Sequence, residues 1–378
     1  MVLLGTVVLL GVNSAPAAAA GIWEGISGWW QRVCAPNPRL DPEYVFQPRK
    51  GWGAATGYEL ISNSMNLTPK VEYTGEGSPS SKTMDIQVGP RQANLVMVQA
   101  TYGPLTLGLS QEVGAAFSKN KYFGFNIFSN SYSLDIRYSS ISDIPNCTVS
   151  TPSADPYVIL VTNPAVVRSL VINGVYTFGK RFSYQAVFSG RSVQRRSGGS
   201  WLVATRYTRG QIIFDPRDSE LLAFMSGYGR YATNQSSLGG GYSFNWVLFH
   251  RDAQSPKDLR RMKNLTFNAT VTPMLTLFNE VTYQQYKKEP SYWELYPTYS
   301  KEIADTYRSS GRIQPNFMAR AGFVYHFGHF YVNAWGDYTR FVLASRGKQF
   351  GNAGSRAYFS QTGSFDNWSI TIKLNYRF

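Results

Sequence analysis

Apolar and polar residues alternate without exception at the C-terminal end of the chain. Every second side chain is apolar: Trp368, Ile370, Ile372, Leu374, Tyr376 and Phe378. The positions between them are polar: Ser369, Thr371, Lys373, Asn375 and Arg377. This period of two predicts a β-strand with one apolar and one polar face. At about 3.4 Å per residue and a tilt near 40°, the strand would span about 28 Å, close to the roughly 25 Å apolar band of a transmembrane β-barrel.

The same alternation recurs in other parts of the chain. It is clear at 105–110, 132–138, 182–189, 242–248 and 265–271. The polar faces are rich in Ser, Thr, Asn and Gly and poor in Lys and Glu, which favours a membrane barrel with a hydrated interior over a soluble β-sandwich. Because open strands leave backbone groups unpaired in lipid, such a sheet has to close on itself.

Short and long connections separate these segments. Short turns are expected at 103–104, 129–130, 179–180 and 328–329, and long loops at 140–165, 284–316 and 343–366. Short periplasmic turns and long external loops are typical of transmembrane barrels. We therefore predict an all-β fold over residues 52–378, a transmembrane antiparallel up-and-down β-barrel of about 12 strands, within a range of about 10–14. The strand count depends on 210–237 and on the region of Pro273, where no hairpin turn is evident.

Composition supports a membrane protein. Aromatic residues make up 15% of the chain and charged residues only 16%, against roughly 25% charged residues in ordinary soluble proteins. The formal net charge is +14. With 43% hydrophobic residues, the chain is not a charged disordered tail.

The N-terminal residues predict export. Residues 1–20 combine a short apolar core with an Ala-rich cleavage site and are interpreted as a signal peptide, with an uncleaved anchor as the alternative. Residues 21–51 are predicted to be a periplasmic leader and linker. Within them Trp23, Ile26, Trp30 and Val33 recur at helical spacing, which predicts a short amphipathic helix on the inner leaflet, in the lumen or in a loose leader.

The two cysteines, Cys34 and Cys147, are interpreted as structural or incidental. The proposed topology puts them on opposite sides of the membrane, which excludes a disulfide between them.

The centre of the chain carries a distinctive sequence. It includes Phe182-Ser183-Tyr184-Gln185-Ala186 and then Gln194-Arg195-Arg196-Ser197-Gly198-Gly199-Ser200. Together with Gly239-Gly240-Gly241-Tyr242, Asn245 and the closing Tyr376-Arg377-Phe378, this resembles a domain-of-unknown-function family of Gram-negative outer-membrane β-barrels. Gly198 and Asn375 depart from the family pattern, which has Ala and Gly there. The resemblance covers about residues 41–378 and implies location in the bacterial outer membrane, but no activity.

Candidate catalytic groups are few. The histidines are His250, His326 and His329, and none is followed two positions later by the Ser that lipid-modifying barrels place on the same strand face. No G-x-S-x-G nucleophile elbow occurs. The G-x-x-x-x-G-K string at 174–180 is followed by Arg181 where a phosphate-binding loop needs Ser or Thr. We therefore expect no enzyme, no cofactor and no metal.

Basic residues gather in two regions. Arg191, Arg195, Arg196, Arg206 and Arg209 surround a turn predicted to be external. A second basic loop contains Arg251, Lys257, Arg260, Arg261 and Lys263. Both are candidates for contact with lipopolysaccharide phosphates, since Arg suits bidentate phosphate recognition. The alternative is an anion-attracting rim or lumen. Nucleic acid is not expected as a partner.

Two further groups of residues are candidates for contacts. Trp368, Tyr376 and Phe378 are predicted to form interfacial girdles and the signal that the barrel-assembly machinery reads. The aromatic loop at 284–316 offers Tyr292, Trp293, Tyr296 and Tyr299 for protein or glycan contact, or for packing over the barrel mouth.

The sequence therefore favours a non-enzymatic barrel with an occluded lumen that acts structurally or by binding through its external loops. The alternatives are a diffusion pore that prefers anions or a small-solute transporter, and, second, a lipid-modifying enzyme.

Overall fold

The protein is built mainly from antiparallel β-strands. The computed structural model describes residues 27–28, 37–48, 51–75, 80–83, 85–103, 105–113, 120–142, 147–150, 158–160, 163, 165–252, 259–290, 296–311, 313–345, 349–350 and 355–378. The strands are β1 (Val45–Phe46), β2 (Trp52–Gly75), β3 (Ser80–Thr83), β4 (Asp85–Tyr102), β5 (Leu105–Glu112), β6 (Lys121–Phe128), β7 (Tyr132–Ile141), β8 (Cys147–Ser150), β9 (Val158–Leu160), β10 (Val166–Thr177), β11 (Val193–Gln194), β12 (Gly198–Ile213), β13 (Tyr228–Arg251), β14 (Lys263–Glu289), β15 (Thr298–Ser310), β16 (Gln314–Phe327), β17 (Phe330–Ser345), β18 (Gln349–Phe350) and β19 (Ser355–Arg377). Two short helices are α1 (Gln185–Phe188) and α2 (Ser219–Phe224).

Among the described strands, twelve close into one ring. Their order is β2-β4-β5-β6-β7-β10-β12-β13-β14-β16-β17-β19, and β19 pairs back onto β2. The closing antiparallel ladder runs from Arg377 opposite Gly53 to Ser355 opposite Gly75. Closure leaves no unpaired edge in the ring, as a sheet in lipid requires. The predicted up-and-down barrel of about twelve strands is confirmed.

The alternating residues of β19 divide between the outside of the barrel and its lumen. Ile370, Ile372 and Leu374 point outward and are 46–49% exposed. Thr371 and Asn375 point inward and are buried. The sheet therefore presents an apolar surface to its surroundings and a polar surface to its lumen, the arrangement expected of a membrane barrel.

The region around Pro273, where no turn was evident, contains no turn. β14 runs through it without interruption, and Pro273 lies on the exposed outward face. The strand count also depended on 210–237. In the structure this region comprises the end of β12, a connection with α2, and the start of β13.

Aromatic rings line the outside of the barrel at one end, which we call the terminal end because β2 begins and β19 ends there. Four ring pairs have centroids 4.7–5.3 Å apart: Trp52 with Tyr102, Trp201 with Tyr242, Phe330 with Tyr376, and Tyr376 with Phe378. The backbone of Phe378 also donates to the carbonyl of Trp52 at 3.1 Å. A belt of rings at one level is typical of a membrane interface.

The two ends of the barrel differ in their connections. At the terminal end, Gly103 and Gly328 adopt positive φ in the predicted short turns. The opposite end, which we call the loop end, carries the connections that were expected to be long. Two of these are partly strand: β15 extends the hairpin with β14, and β17 and β19 pair as far as Ser345 opposite Gln361.

The short turn predicted at 179–180 is wrong, and so is the strand predicted at 182–189. Residues 178–197 join β10 to β12 at the terminal end, and they form a folded segment with α1 inside the barrel. Both the odd and the even positions of 182–188 are buried, so their alternation does not mark two strand faces. The barrel wall surrounds this segment on all sides, so the segment has no separate inward and outward faces.

Ser27 and Gly28 are the described residues of the predicted N-terminal helix, and both are helical. The signal peptide and Cys34 lie outside the described residues. None of the helices in the described part of the chain has the length and apolarity that a membrane-crossing helix needs.

Candidate functional site

Residues 178–197, which we call the plug, fill the lumen at the terminal end. Their centre is apolar: Phe182, Tyr184 and Phe188 are buried and pack against Trp335 and Tyr331 of the barrel wall. The chain leaves α1 through Gly190, whose φ of +60° favours glycine. A Cβ there would overlap the Tyr331 ring, so this turn also depends on the absence of a side chain.

Amide side chains of the wall hold the plug backbone. Asn333 Nδ2 donates to the carbonyls of Val187 and Phe188 at 3.2 and 3.0 Å. Further amide contacts join Asn245 Nδ2 to the Ser183 carbonyl (3.0 Å), Asn264 Nδ2 to the Gln194 carbonyl (2.7 Å), and Ser183 Oγ to Asn130 Oδ1 (2.7 Å). Since buried backbone groups need partners, these inward-facing asparagines allow an irregular segment to lie inside the barrel.

Two arginines fasten the plug to the terminal rim. Arg191 Nη1 donates to the carbonyls of Gly51 and Gly103 at 3.1 and 2.5 Å, and its Nη2 donates to Thr101. Arg377 donates to the carbonyl of Gly190. These bonds join the start of β2, the β4–β5 turn and the end of β19 to one segment.

The N-terminal residues 37–48 lie beneath the plug. Val45 and Phe46 pair with Gln194 and Val193, so β1 and β11 form a two-stranded sheet that is separate from the twelve-stranded ring. Gln47 Oε1 accepts from Asn130 Nδ2 at 2.8 Å. A segment placed in the linker by sequence thus covers the terminal side of the plug.

A network of ion pairs lies inside the barrel above the plug. Arg137 pairs with Asp135 at 3.0 Å, with Glu59 at 3.5 Å and with Asp337 at 3.8 Å. Arg320 also binds Asp337. The Arg320 Nη1 donates to Tyr184 Oη at 3.3 Å, and the guanidinium lies 4.7 Å from the Phe188 ring. The network thus joins β2, β7, β16 and β17 to the plug.

Above this network the lumen holds a cavity of about 250 Å³, which we call the chamber. Phe188 of the plug and Trp335 line its lower part. Its lining reaches Val167 and Ile212, within one residue of the loop-end limits of β10 and β12. The chamber therefore extends towards the loop end, whereas the plug occupies the terminal end.

Part of the loop end is covered by the β12–β13 connection. Its Phe214, Leu222 and Met225 are buried, and the Asp218 carboxylate accepts from Asn163 N and Nδ2 at 3.0 and 2.6 Å. Burial raises the pKa of the Asp218 carboxyl above its ordinary value, against the opposing effect of the Asn163 hydrogen bonds.

The arginines predicted around one external turn occupy four different environments. Arg191 lies in the plug, and Arg195 and Arg196 lie at its terminal face beside residues 43–46. Arg206 is buried in the lumen, and Arg209 points outward from β12. The turn was predicted to be one of the external loops; in the structure residues 178–197 join β10 to β12 at the terminal end, opposite the long connections.

The second basic group is at the terminal end as well. Arg251 ends β13, and Arg260 and Arg261 precede β14; all three are exposed. Lys257 lies outside the described residues. This loop was expected, like the first group, to contact lipopolysaccharide phosphates or to attract anions. Its described part lies at the terminal end, opposite the loop end.

The predicted aromatic loop is only partly described. Tyr292 and Trp293 lie outside the described residues. Tyr296 Oη donates to Glu220 of α2 at 3.5 Å, and Tyr299 is half-buried near Gly227 of the β12–β13 connection. These two contacts fit the interpretation that the rings pack one loop on another.

The histidines are not assembled into a common centre. His326 is buried beside Arg377 (3.1 Å) and Tyr331. His250 Nε2 lies 2.8 Å from Asp252, and His329 lies in the terminal-end turn near the Tyr376 ring. Each has a separate local partner.

Sequence analysis missed the charged network and the chamber. The signal was present, since Asp135, Arg137 and Lys373 stand on the polar faces of strands that were recognised. Arg320 and Asp337 lie on β16 and β17, outside the segments that predicted strands. Charged residues at inward positions indicate such a network when the other inward residues of the barrel strands are neutral.

Fold and site together define the protein as a plugged, twelve-stranded barrel of the outer-membrane type. A family model described as "Domain of unknown function (DUF4421)" matches residues 39–378, and the chain belongs to this family. The central residues that carry the family resemblance are those of the plug and the start of β12. No curated protein matches the sequence.

Several solved structures of barrels are similar in outline. The outer membrane protease OmpT from Escherichia coli is 11% identical, with 88% of this chain and 98% of that chain covered and a TM-score of 0.35. A Pseudomonas aeruginosa FadL homologue is 11% identical, with coverages of 85% and 90% and a TM-score of 0.15. The P. putida toluene transporter TodX is 6% identical, with coverages of 85% and 90% and a TM-score of 0.16. Likeness at this level gives no basis for transferring a function.

Proposed function

We propose that the protein is a non-enzymatic barrel of the bacterial outer membrane, closed at its periplasmic end and adapted for binding at its loop end. The terminal end is then periplasmic and the loop end external, and the aromatic belt of Tyr376, Phe378 and their neighbours lies at the inner interface. Phe378 ends the strand that the barrel-assembly machinery would read. This proposal retains the binding role expected from the sequence. It places binding in the chamber as well as at the external loops.

The observation that carries the closed barrel is the anchoring of the plug. Its backbone is bound by amide side chains from β13, β14 and β17, and Arg191 binds three groups on the rim. A segment held on several sides by buried hydrogen bonds does not leave the lumen without losing many of them, each worth about 0.5–1.5 kcal/mol. A passive pore needs a continuous hydrated path, and the plug occupies that path.

The orientation changes the proposed lipid contacts. Arg195, Arg196 and Arg260 would lie on the periplasmic side, away from lipopolysaccharide. Arg209 points outward eight residues beyond Trp201, or about 21 Å further across the membrane at about 3.4 Å per residue and a tilt near 40°. We therefore propose Arg209 as the candidate contact for a lipopolysaccharide phosphate.

Planar-bilayer conductance tests the closed barrel. We expect no steady conductance steps from the purified wild type. The triple variant Arg191→Ala, Asn245→Ala and Asn333→Ala should conduct, because it loosens the plug at three places. Asn234→Ala, on the outward face of β13, is the matched control and should remain silent.

Large, anion-selective steps from the wild type would overturn the closed barrel in favour of a diffusion pore. A silent triple variant with native heat-modifiable migration on gels would show that the plug is not what closes the lumen.

A further inference from the structure

We propose that the chamber binds a small organic monoanion with an apolar body, and that Arg206 and Gln235 hold its anionic group. The site lies on the inward faces of β12 and β13, above the ion-pair network. Arg206 belongs to the basic group for which the sequence left an anion-attracting rim or lumen as the alternative, whereas Gln235 was not among the predicted contacts.

Arg206 is a buried cation that forms no ion pair with a carboxylate of the described residues. It is 8% exposed and lines the chamber. Its Nε donates to Thr208 Oγ1 at 3.2 Å, and its guanidinium lies 4.1 Å from the Phe341 ring centroid. No carboxylate of a described residue lies within 4.0 Å of it. Since an uncompensated buried charge is costly, this position favours a bound anion.

Gln235 supplies a second donor beside Arg206. It is 3% exposed, lines the chamber and stands directly opposite Thr208 in the β12–β13 ladder. Among the described residues its Nε2 has no hydrogen-bond partner, although buried polar groups nearly always have one. Arg206 and Gln235 are diagonal neighbours across the ladder, about 7–8 Å apart at the backbone and within reach of one oxyanion.

The charges around the chamber leave a positive excess. Among the described residues, the inward-facing cations of the lining and the network are Arg137, Arg206, Arg320 and Lys373, and their carboxylates are Glu59, Asp135 and Asp337. Arg168 and Asp366 also contribute to the lining, with one charge of each sign. The carboxylates are engaged by Arg137 and Arg320. Lys373 donates to Gln99 Oε1 at 2.9 Å and lies over the Trp335 ring. Among these groups one positive charge is unbalanced, which matches a monoanion.

The chamber lining also includes an apolar surface. Leu95, Met97, Ile212 and Phe341 line the chamber, with Phe188 at its base. A cavity of about 150 Å³ accommodates benzene, so the chamber volume of about 250 Å³ suits a body of about two rings. A ligand that is anionic at one end and apolar at the other satisfies both surfaces.

Equilibrium dialysis with the protein in nanodiscs of zwitterionic lipid tests the ligand class, with empty nanodiscs to subtract partition into lipid. The probes are 2-naphthoate, neutral 2-naphthamide and cationic 2-naphthylmethylammonium. For the wild type we expect naphthoate to bind at least about tenfold more tightly than naphthamide, the value of one charge-assisted hydrogen bond. The cation should bind most weakly.

Variants locate the site. Arg206→Gln and Gln235→Leu should each weaken naphthoate binding about tenfold and leave naphthamide binding unchanged. Arg209→Gln is the matched control, because it removes an outward-facing arginine three residues further along the same strand. Equal affinity of the wild type for naphthoate and naphthamide, absence of naphthoate binding, or unchanged naphthoate binding by Arg206→Gln would each overturn the proposal. Should a variant fail to fold, the comparison of probes on the wild type still decides.

This inference rests on the proposed binding role of the closed barrel, and the two can fail separately. A wild type that conducts but binds naphthoate through Arg206 overturns the closed barrel alone. A silent barrel that does not bind naphthoate overturns the ligand class alone.

Discussion

The terminal and loop-end halves of the lumen are lined by the same kind of inward-facing strand positions but are filled differently. In the terminal half, neutral Asn, Ser and Thr side chains bind the backbone of the plug. In the loop-end half, the inward positions include Arg137, Arg320 and Asp337, and an open chamber remains. One half therefore resembles a protein core in which polar side chains bind backbone groups, and the other resembles a binding cavity.

The difference shows how a barrel can be closed and still hold a site. Neutral amides pair with backbone carbonyls at a modest cost of desolvation, so they suit permanent packing. Buried charges are costly unless paired, and a cation without a carboxylate retains affinity for an anion. We expect substitutions in the two halves to separate these roles.

The largest effect is expected from the charged network. Arg320→Met leaves Asp337 with the longer contacts to Arg137 (3.8 Å) and Ser369 Oγ (3.5 Å) and removes the bond to Tyr184. Breaking one partner of a buried ion pair costs about 3–5 kcal/mol in the free energy of unfolding. Denaturant unfolding in lipid vesicles measures this loss.

The control for this prediction is Lys287→Met. Lys287 pairs with Glu302 at 2.9 Å, but both side chains are exposed, so the unfolding midpoint should not change. An Arg320→Met barrel as stable as the wild type would mean that the network serves the chamber and does not support the fold.

A smaller effect is expected from the plug contacts. Asn245→Leu leaves the Ser183 carbonyl without its amide donor and removes one of the acceptors of Asn268 Nδ2. The loss should be about 2–3 kcal/mol in the free energy of unfolding. The plug should also become accessible to protease from the terminal end.

Asn234→Leu is the matched substitution on the outward face of the same strand. It should change stability by less than about 0.5 kcal/mol. If the two variants lose equal stability, the plug contacts are not what distinguishes the terminal half.

The smallest effect concerns the connection at the loop end. Because burial raises the pKa of Asp218, the folded connection binds the proton more tightly than the unfolded one. Its stabilising contribution is fully present below the ordinary Asp value of about 3.9 and is lost as the pH rises through the higher folded pKa.

Hydrogen-exchange protection factors of the Leu222 and Met225 amides measure this. We expect protection to fall by about two- to threefold between pH 4 and pH 7 in the wild type and to stay constant in Asp218→Asn. Protection that rises with pH in the wild type would contradict the direction of the shift.

Sequence patterns predicted the barrel well because lipid and lumen impose different demands on adjacent residues. The outward Ile370 and Ile372 and the inward Thr371 lie as expected, and the strand number follows from the repeated pattern. The plug was missed because Phe182, Tyr184, Ala186 and Phe188 alternate with polar residues as a strand would. In the structure this segment is instead bound by Asn130, Asn245 and Asn333 of the surrounding wall, which are distant from the plug in sequence.

The sequence by itself determined that the chain forms a closed cylinder, since each strand records locally which of its faces meets lipid. The tertiary structure decided what fills that cylinder. The lumen exists only after the last strand pairs with the first, and only then does a segment between two strands find amide donors on several sides. The same closure brings Arg206 and Gln235 beside an apolar wall, a combination that no single strand contains.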